Sequence, residues 1–327
     1  MQDFTIATFY RFSPIPKDSL LDVKNKLIEK AEALQIKGLV IMGIEGINTT
    51  LAAEKNNLDN FISYVSTFEG FKDLSIKFSS APVIPFRRFK VQIRDEIVTL
   101  NRPDLLPNEK DPSHLSPQEW NEVLKKEQDY ILIDTRNWYE TEVGKFKNAL
   151  TPPITEFTDF PKWLETQNIP KEKKVLIYCT GGIRCEKAQV EMKEHGYNNV
   201  FQLKDGILKY LEEFPQDQFE GECFVFDHRV AVDQELKPSK VFDLCPHCGQ
   251  PSKNEITCVK CDTVAKVCER CLSAEAKFET CSKNCAHHYV MNPNKKIRKH
   301  TNSISVFRDS KKLILNNTKA ASNTDYK

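Results

Sequence analysis

The stretch YCTGGIRCEKA, residues 178 to 188, places a cysteine directly after the apolar run VLIY, with two glycines and an arginine close behind it. A loop that wraps around a sulfur must turn backbone N–H groups inward, which needs residues tolerant of unusual dihedrals, and Gly181 and Gly182 supply them. The charged segment that follows reads as a helix beginning near Arg184 or Cys185. Its N-terminal partial positive charge is aimed at Cys179, so this thiol is expected to ionise at neutral pH and to act as a nucleophile. Thr180, Gly181, Gly182, Ile183 and Arg184 form the loop around it. Arg184 has two uses open to it, stabilising the sulfur's charge or orienting an anionic group on a substrate. Cys185, six positions on, is either a second thiol that resolves an oxidised Cys179 or a half-buried helix residue.

A second group of residues suited to chemistry lies near the other end. CPHC, CVKC, CERC and CSKNC form four paired knuckles: Cys245 and Cys248, Cys258 and Cys261, Cys268 and Cys271, Cys281 and Cys285. Eight thiolates suit two tetrahedral zinc sites, each built from two knuckles. Spacing alone leaves open whether the knuckles pair sequentially or interleaved. His247, His287 and His288 are available to replace a thiolate, and are otherwise exposed histidines. A redox role for CPHC is the weaker reading, because no βαβ pattern surrounds it.

The elements that position these residues are legible in outline. TIATFYRF reads as a strand, residues 17 to 34 as an amphipathic helix, KGLVIMG and INTTLAA as two strands, residues 57 to 68 as a helix and LSIKFS as a strand. That order, βαββαβ, predicts a ferredoxin-like α+β domain over residues 1 to 100, extended by the alternating run RFKVQIRDEIVTL. Residues 101 to 115, rich in proline and charge, read as a linker. From 116 to 219 short apolar strands (YILIDTR, KVLIYC, VFQL) alternate with helices, the first capped by Ser116 with Pro117 behind it. This predicts a doubly wound α/β domain, with Cys179 at the carboxyl end of a strand where such folds bind ligands. Asp134 and Arg136, ending their strand, are expected to form a structural ion pair. Residues 220 to 291 form the cysteine-rich module, with ECFVFDHRVAV as a strand or hairpin, and residues 292 to 327 a basic, flexible tail.

Composition sets the surroundings. The 47 basic and 46 acidic residues nearly cancel, so any polyanion must be gripped by local patches. Arg87, Arg88 and Lys90, interleaved with Phe86 and Phe89 as stacking faces, make one such patch. Lys295, Lys296, Arg298 and Lys299 make another. Neither a signal-peptide pattern nor a long apolar run is present, which predicts a cytoplasmic protein outside the membrane, and eleven cysteines in a reducing compartment fit metal or catalytic chemistry better than disulfides. No flavin or haem pattern is visible.

Loop length separates two enzyme types. Cysteine phosphatases place an arginine after five intervening residues to hold a tetrahedral phosphate, whereas here only Thr180 to Ile183 intervene, and Cys185 stands in the arginine's place. The shorter loop resembles the active loop of rhodanese-like domains, a likeness that extends through LIDTRNWYE, GKFKNAL and LKDGILKYL. With EGINTTLAA and QIRDEIVTL before it and ECFVFDHRVAV after it, the chain resembles the bacterial rhodanese-related tRNA uridine hydroxylase family over about residues 1 to 235. Thr49 stands where glycine is expected. The resemblance implies oxygen-dependent conversion of the wobble uridine in a tRNA anticodon stem-loop to 5-hydroxyuridine, with dioxygen as co-substrate and Cys179 as the catalytic cysteine. The residues alone indicate sulfur transfer through a persulfide on Cys179, and a non-catalytic RNA-binding adaptor is the alternative of another class.

Overall fold

The computed structural model describes residues 3–108, 111–274, 277 and 279–297. The chain divides into two compact units, Met1–Phe224 with Asp233–Lys237, and Val225–Val232 with Pro238–Lys327. Among the described residues no helix is long and apolar enough to cross a membrane.

The first unit begins with β1 (Phe4–Phe12), α1 (Leu20–Ala33), β2 (Lys37–Gly43), β3 (Gly46–Ala53), α2 (Lys55–Val65) and β4 (Lys77–Ala81), the βαββαβ order expected from the sequence. The sheet runs β4-β1-β3-β2, and β5 (Phe89–Ile93) joins its edge parallel to β2. Phe9, Leu27, Val40, Met42, Leu51, Leu58 and Phe61 fill the core between sheet and helices, as the period-2 and period-3.6 patterns require. Thr49 lies within β3, opposite Phe9 and Val40, away from the turn that joins β2 to β3.

The second domain holds a parallel sheet of β6 (His114–Leu115), β7 (Tyr130–Asp134), β9 (Lys174–Tyr178) and β10 (Val200–Leu203), in the order β6-β10-β9-β7. Its helices are α3 (Pro117–Lys126), α4 (Trp138–Thr141), α5 (Phe160–Glu165), α6 (Ile183–Glu194) and α7 (Gly206–Glu213). The short strand β8 (Gly144–Phe146) pairs with β11 (Phe219–Gly221) beside the main sheet. Ser116 caps α3 as expected, accepting from the Glu119 N–H while Glu119 accepts from the Ser116 N–H at 2.8 Å. One face of the sheet packs Ile133, Phe160, Val175, Ile177, Met192 and Tyr197. The other carries an aromatic cluster in which Phe146 meets Tyr178 and Tyr210 with centroids 4.8 Å apart.

The segment between the two domains is anchored at several points. Leu100 and Leu105 are buried in the second domain's core, His114–Leu115 adds β6 to its sheet, and Arg102 reaches Glu191 and Glu194 of α6 at 2.6 Å each. Proline and charge had the look of a solvated linker. The core that takes the two leucines and the pairing partners that tie the segment down lie far off in sequence.

Helix α6 is charged, yet Arg184, Cys185, Glu186, Lys187, Gln189 and Glu191 are all buried. A buried charge needs a partner, and for Lys187 the first domain provides two. Lys187, wholly enclosed, sits 2.8 Å from Glu45 and 2.6 Å from Glu96. Glu45 also accepts from the Ile97 N–H at 2.5 Å, Asn48 donates to the Ile97 carbonyl at 3.0 Å, and Glu96 accepts from the Leu100 N–H at 3.1 Å. The EGIN and RDEI motifs are thus the docking surface for α6.

The second unit is small and built from short pieces. Asp243–Leu244 pairs with Pro251–Ser252 and Glu255–Thr257 with Val264–Lys266, followed by α8 (Glu269–Leu272) and α9 (Lys283–Met291). Around the knuckles its core consists of cysteine side chains with Ala265 and Val267, packed by Ile256, Leu272 and Ile297.

Breaking the Lys187 cluster from one side leaves two carboxylates facing each other in a buried space. Lys187→Met is expected to destabilise the first unit by about 3–5 kcal/mol in chemical denaturation. Adding Glu45→Gln and Glu96→Gln is expected to recover much of that loss; a triple variant less stable than the single one overturns this account.

Candidate active site and metal centres

Cys179 follows β9 and is 1% exposed. Its sulfur accepts the Gly182 N–H at 3.1 Å. Gly182 has φ +96° and begins the turn into α6, whose 12 residues align their dipoles on the loop. A Cβ on Gly206, the first residue of α7, would stand 2.5 Å from the Cys179 carbonyl oxygen and 2.7 Å from the Gly182 nitrogen. Only glycine permits that approach, and it lets the N–H groups of Ile207 and Leu208 donate to the Cys179 and Thr180 carbonyls at 3.0 and 3.1 Å. LKDGI in the sequence is therefore the underside of the cysteine loop.

Burial pushes the Cys179 thiol up, but the Cys185 side chain, the Arg184 charge and the backbone N–H groups of Cys185 and Arg184 outweigh it, and the net pKa falls to about 6. Cys185 carries the opposite shift: burial and the neighbouring Cys179 push its thiol well above the ordinary value. Thr135 Oγ1 lies 3.6 Å from the Cys185 sulfur. Cys185 is wholly buried rather than half-buried, because its side chain turns toward Cys179. Arg184 spends both terminal nitrogens on Glu140, at 2.6 and 2.8 Å. Its charge is among the causes that lower the Cys179 pKa. Asp134 and Arg136 form the expected ion pair, both fully buried, with Arg136 also donating to the Gly144 carbonyl at 2.6 Å.

Sequence reading did not single out Glu140, Glu186, Lys187, His114, Tyr10 or Asp205. Glu140 had a local signal, since it follows Asn137 by three residues and its carboxylate accepts the Asn137 N–H at 3.2 Å. The others had none: Tyr10, Lys187 and Asp205 meet partners across the two domains, and Glu186 and His114 meet each other 72 residues apart. Asp205 accepts from Ser75 at 2.7 Å and Lys77 at 3.2 Å.

The first basic patch differs from expectation in one respect. Arg87, Arg88 and Lys90 are exposed, but Phe86 packs against the Ile6, Ala52 and Ala81 cluster, and Phe89 meets Phe61 edge-on at 5.7 Å. The rings are used by the domain's own core and do not stand as free stacking faces. In the second patch Lys295 and Lys296 are exposed, with Lys296 2.5 Å from Asp262; Arg298 and Lys299 lie outside the described residues.

The eight knuckle cysteines gather into two clusters, Cys245, Cys248, Cys268 and Cys271 in one and Cys258, Cys261, Cys281 and Cys285 in the other, with the sulfurs of each within 4.8 Å of one another. Pairing is interleaved, first knuckle with third and second with fourth, because the two short hairpins return alternate knuckles to the same place. Each set of four thiols fits one tetrahedral metal ion. The histidines stay outside both sets: His247 is buried and directs Nε2 to the Thr280 carbonyl at 2.7 Å, and His287 and His288 lie on α9.

A cysteine loop of this length at the end of a parallel strand, with its carboxyl-paired arginine, defines the second domain as rhodanese-like. Comparison with known families agrees: the chain matches the UPF0176 acylphosphatase like domain over residues 4–97, the rhodanese-like domain over 116–213 and the rhodanase C-terminal family over 220–286. It is 51% identical to a tRNA uridine(34) hydroxylase of Bdellovibrio bacteriovorus, covering 91% of this chain and 85% of that one. Proteins of the same name from Legionella pneumophila and Prochlorococcus marinus are 42% and 39% identical, over 72% and 76% of this chain and 93% and 82% of theirs. The chain belongs to the tRNA uridine(34) hydroxylase family, enzymes that carry a rhodanese domain.

The loop geometry fixes a titration. The ultraviolet thiolate absorbance of Cys179, taken as the difference from a Cys179→Ser variant, is expected to rise through a pH of about 6, below the ~8.5 of an ordinary cysteine. Arg184→Gln removes a favourable charge and leaves Glu140 unpaired, so the midpoint is expected to move up by about one unit or more. A midpoint near the ordinary value in the unmodified protein overturns the nest.

Proposed function

We propose that this protein hydroxylates uridine 34 of tRNA, giving 5-hydroxyuridine at the wobble position with dioxygen as co-substrate, one oxygen atom entering the base and the other leaving as water with two electrons from an external reductant, and that Cys179 is the reacting residue. The observation that carries the site assignment is the Cys179 nest: a buried sulfur held by the Gly182 N–H at 3.1 Å beside the Arg184 charge. The relatives' shared name carries the reaction. A sulfur so placed is ionised at neutral pH and is both nucleophilic and readily oxidised, which an alcohol in its place is not. Thr180 to Arg184 hold it, and Cys185 keeps its own proton and donates toward it.

An anticodon loop offers unstacked bases that are able to enter a protein pocket while phosphates are gripped elsewhere. The exposed cations Arg87, Arg88 and Lys90 support a phosphate grip on the first domain, with Lys295 and Lys296 as a second one. The enclosed state of Cys179 requires the surrounding loop or β1 to part when the base arrives. The reaction belongs in the cytoplasm, where tRNA is.

The two cysteine clusters hold zinc in this reading. Four thiolates with no open position make a closed, structural site, and a unit whose core is mostly cysteine has little other means of staying folded.

Cys179→Ser is expected to abolish 5-hydroxyuridine in tRNA digests from a strain depending on this protein, read by mass spectrometry, while far-ultraviolet dichroism stays unchanged. Retained modification removes the cysteine from the reaction; loss of thiolated nucleosides in its place makes the protein a sulfurtransferase. Elemental analysis of the purified protein is expected to find about two zinc ions per chain, and chelation to unfold the second unit. Eight freely titrating thiols and no metal overturn the zinc assignment.

A further inference from the structure

Tyr10 stands on β1 of the first domain, far from the cysteine loop in sequence and next to it in space. Its hydroxyl donates to Glu186 at 2.7 Å. A Cβ on Gly182 would lie 2.9 Å from that same hydroxyl oxygen, so Tyr10 fills the space directly over the backbone whose N–H holds the Cys179 sulfur. Thr8, two residues earlier on the strand, would meet a Cβ on Gly181 at 3.9 Å. The first domain therefore roofs the loop.

The carboxylate that receives Tyr10 has other donors. Glu186 lies 3.0 and 3.2 Å from His114 Nε2, and Gln202 donates to it at 3.1 Å. His114 Nδ1 is 2.7 Å from the Asp111 carbonyl, which only accepts, so Nδ1 carries a hydrogen. Nε2 lies between Glu186 and the Gln202 amide nitrogen, which is 2.5 Å away; burial lowers the imidazole pKa, but the Glu186 hydrogen bond and charge outweigh it and hold it above the ordinary value. The groups facing Tyr10 are Glu186 on α6, Asp205 before α7, Cys179 in the loop and Lys77 on β4, whose ammonium lies 4.9 Å from the ring centroid. Those facing His114 are Glu186 and Asp111, the latter paired with Lys193 at 2.7 Å.

We propose that Tyr10 is a positioning residue of the Cys179 site, contributed by the first domain: its hydroxyl pins Gly182 so that the N–H stays on the sulfur, and it ties the loop to the Glu186–His114 pair. The proposal rests on the reading of Cys179 as the reacting residue. The chemistry has a definite sign. Without the phenol, the Glu186 charge is less compensated and Gly182 is free to turn its N–H away, and both changes favour the protonated thiol. Loss of the His114 partner leaves Glu186 less compensated and acts in the same direction.

The test is Tyr10→Phe, which keeps the ring over Lys77 and removes only the hydroxyl. Thiolate absorbance is titrated for this variant against the same variant carrying Cys179→Ser. An upward shift of about one pH unit, or a tenfold loss of thiolate at a fixed pH below the midpoint, is expected. At a pH below that midpoint, kcat is expected to fall about tenfold with KM for tRNA unchanged. His114→Gln is expected to give a smaller shift of the same sign. An unmoved midpoint in folded Tyr10→Phe protein, or a loss confined to KM, overturns the proposal. If Tyr10→Phe does not fold, His114→Gln decides: an unmoved midpoint there overturns it as well. Activity retained in Cys179→Ser sinks the reading of Cys179 alone, since the titration does not use turnover and still judges Tyr10.

Discussion

The buried charge on α6 is the constraint on which the rest of the first unit depends. A helix that reads IRCEKAQVEMKE docks Cys185, Ala188 and Met192 on the second domain's core, and the charged Arg184, Glu186, Lys187 and Glu191 between them are buried as well. Enclosure without partners would cost several kcal/mol per ion. Each charge therefore fixes a neighbour: Lys187 fixes Glu45 and Glu96, Glu191 fixes Arg102, Glu186 fixes Tyr10 and His114, and Arg184 fixes Glu140. These bonds come from the first domain, the segment between the domains and the rhodanese-like domain itself. The helix that begins at the cysteine loop is the part around which the unit is assembled.

This arrangement makes the electrostatics at Cys179 a property of the assembly. The loop glycine and the helix N-terminus would polarise a cysteine in an isolated rhodanese-like domain too. Here the sulfur is also withdrawn from water, which works against the thiolate, and the Arg184 charge and the hydrogen bond from Cys185 offset that loss. Glu140 holds Arg184 in place and spares it a second, unpaired buried charge. The two cysteines divide the roles, one stabilised as an anion and the other as a thiol, because the protein supplies enough donors for a single negative charge.

The second unit follows a different rule. Its strands are two or three residues long, and its core contains little aliphatic volume. Interleaved pairing of the knuckles means that each cluster joins both parts of the module, so neither hairpin is able to leave without breaking the geometry of an ion site. With an ion in each cluster, such a module would gain its order from metal–sulfur bonds more than from hydrophobic burial.

The sequence by itself determined the local and periodic features. Alternating and helical patterns placed the first domain's strands and helices, the Ser116 cap started α3 where it was expected, and the glycines with the strand before them marked the Cys179 loop. Knuckle spacing announced the metal clusters. Each of these signals is carried by residues within a few positions of one another. Only the tertiary structure decided which knuckles share a site, that Leu105 and His114 tie the segment before α3 to the second domain, that Phe86 and Phe89 pack on the first domain, and that charges on a helix are buried. The same holds for Tyr10, whose tie to Glu186 spans 176 residues. Periodicity reports whether a side chain prefers water or core, and a buried charge reads as a surface residue until the partner that neutralises it is folded against it.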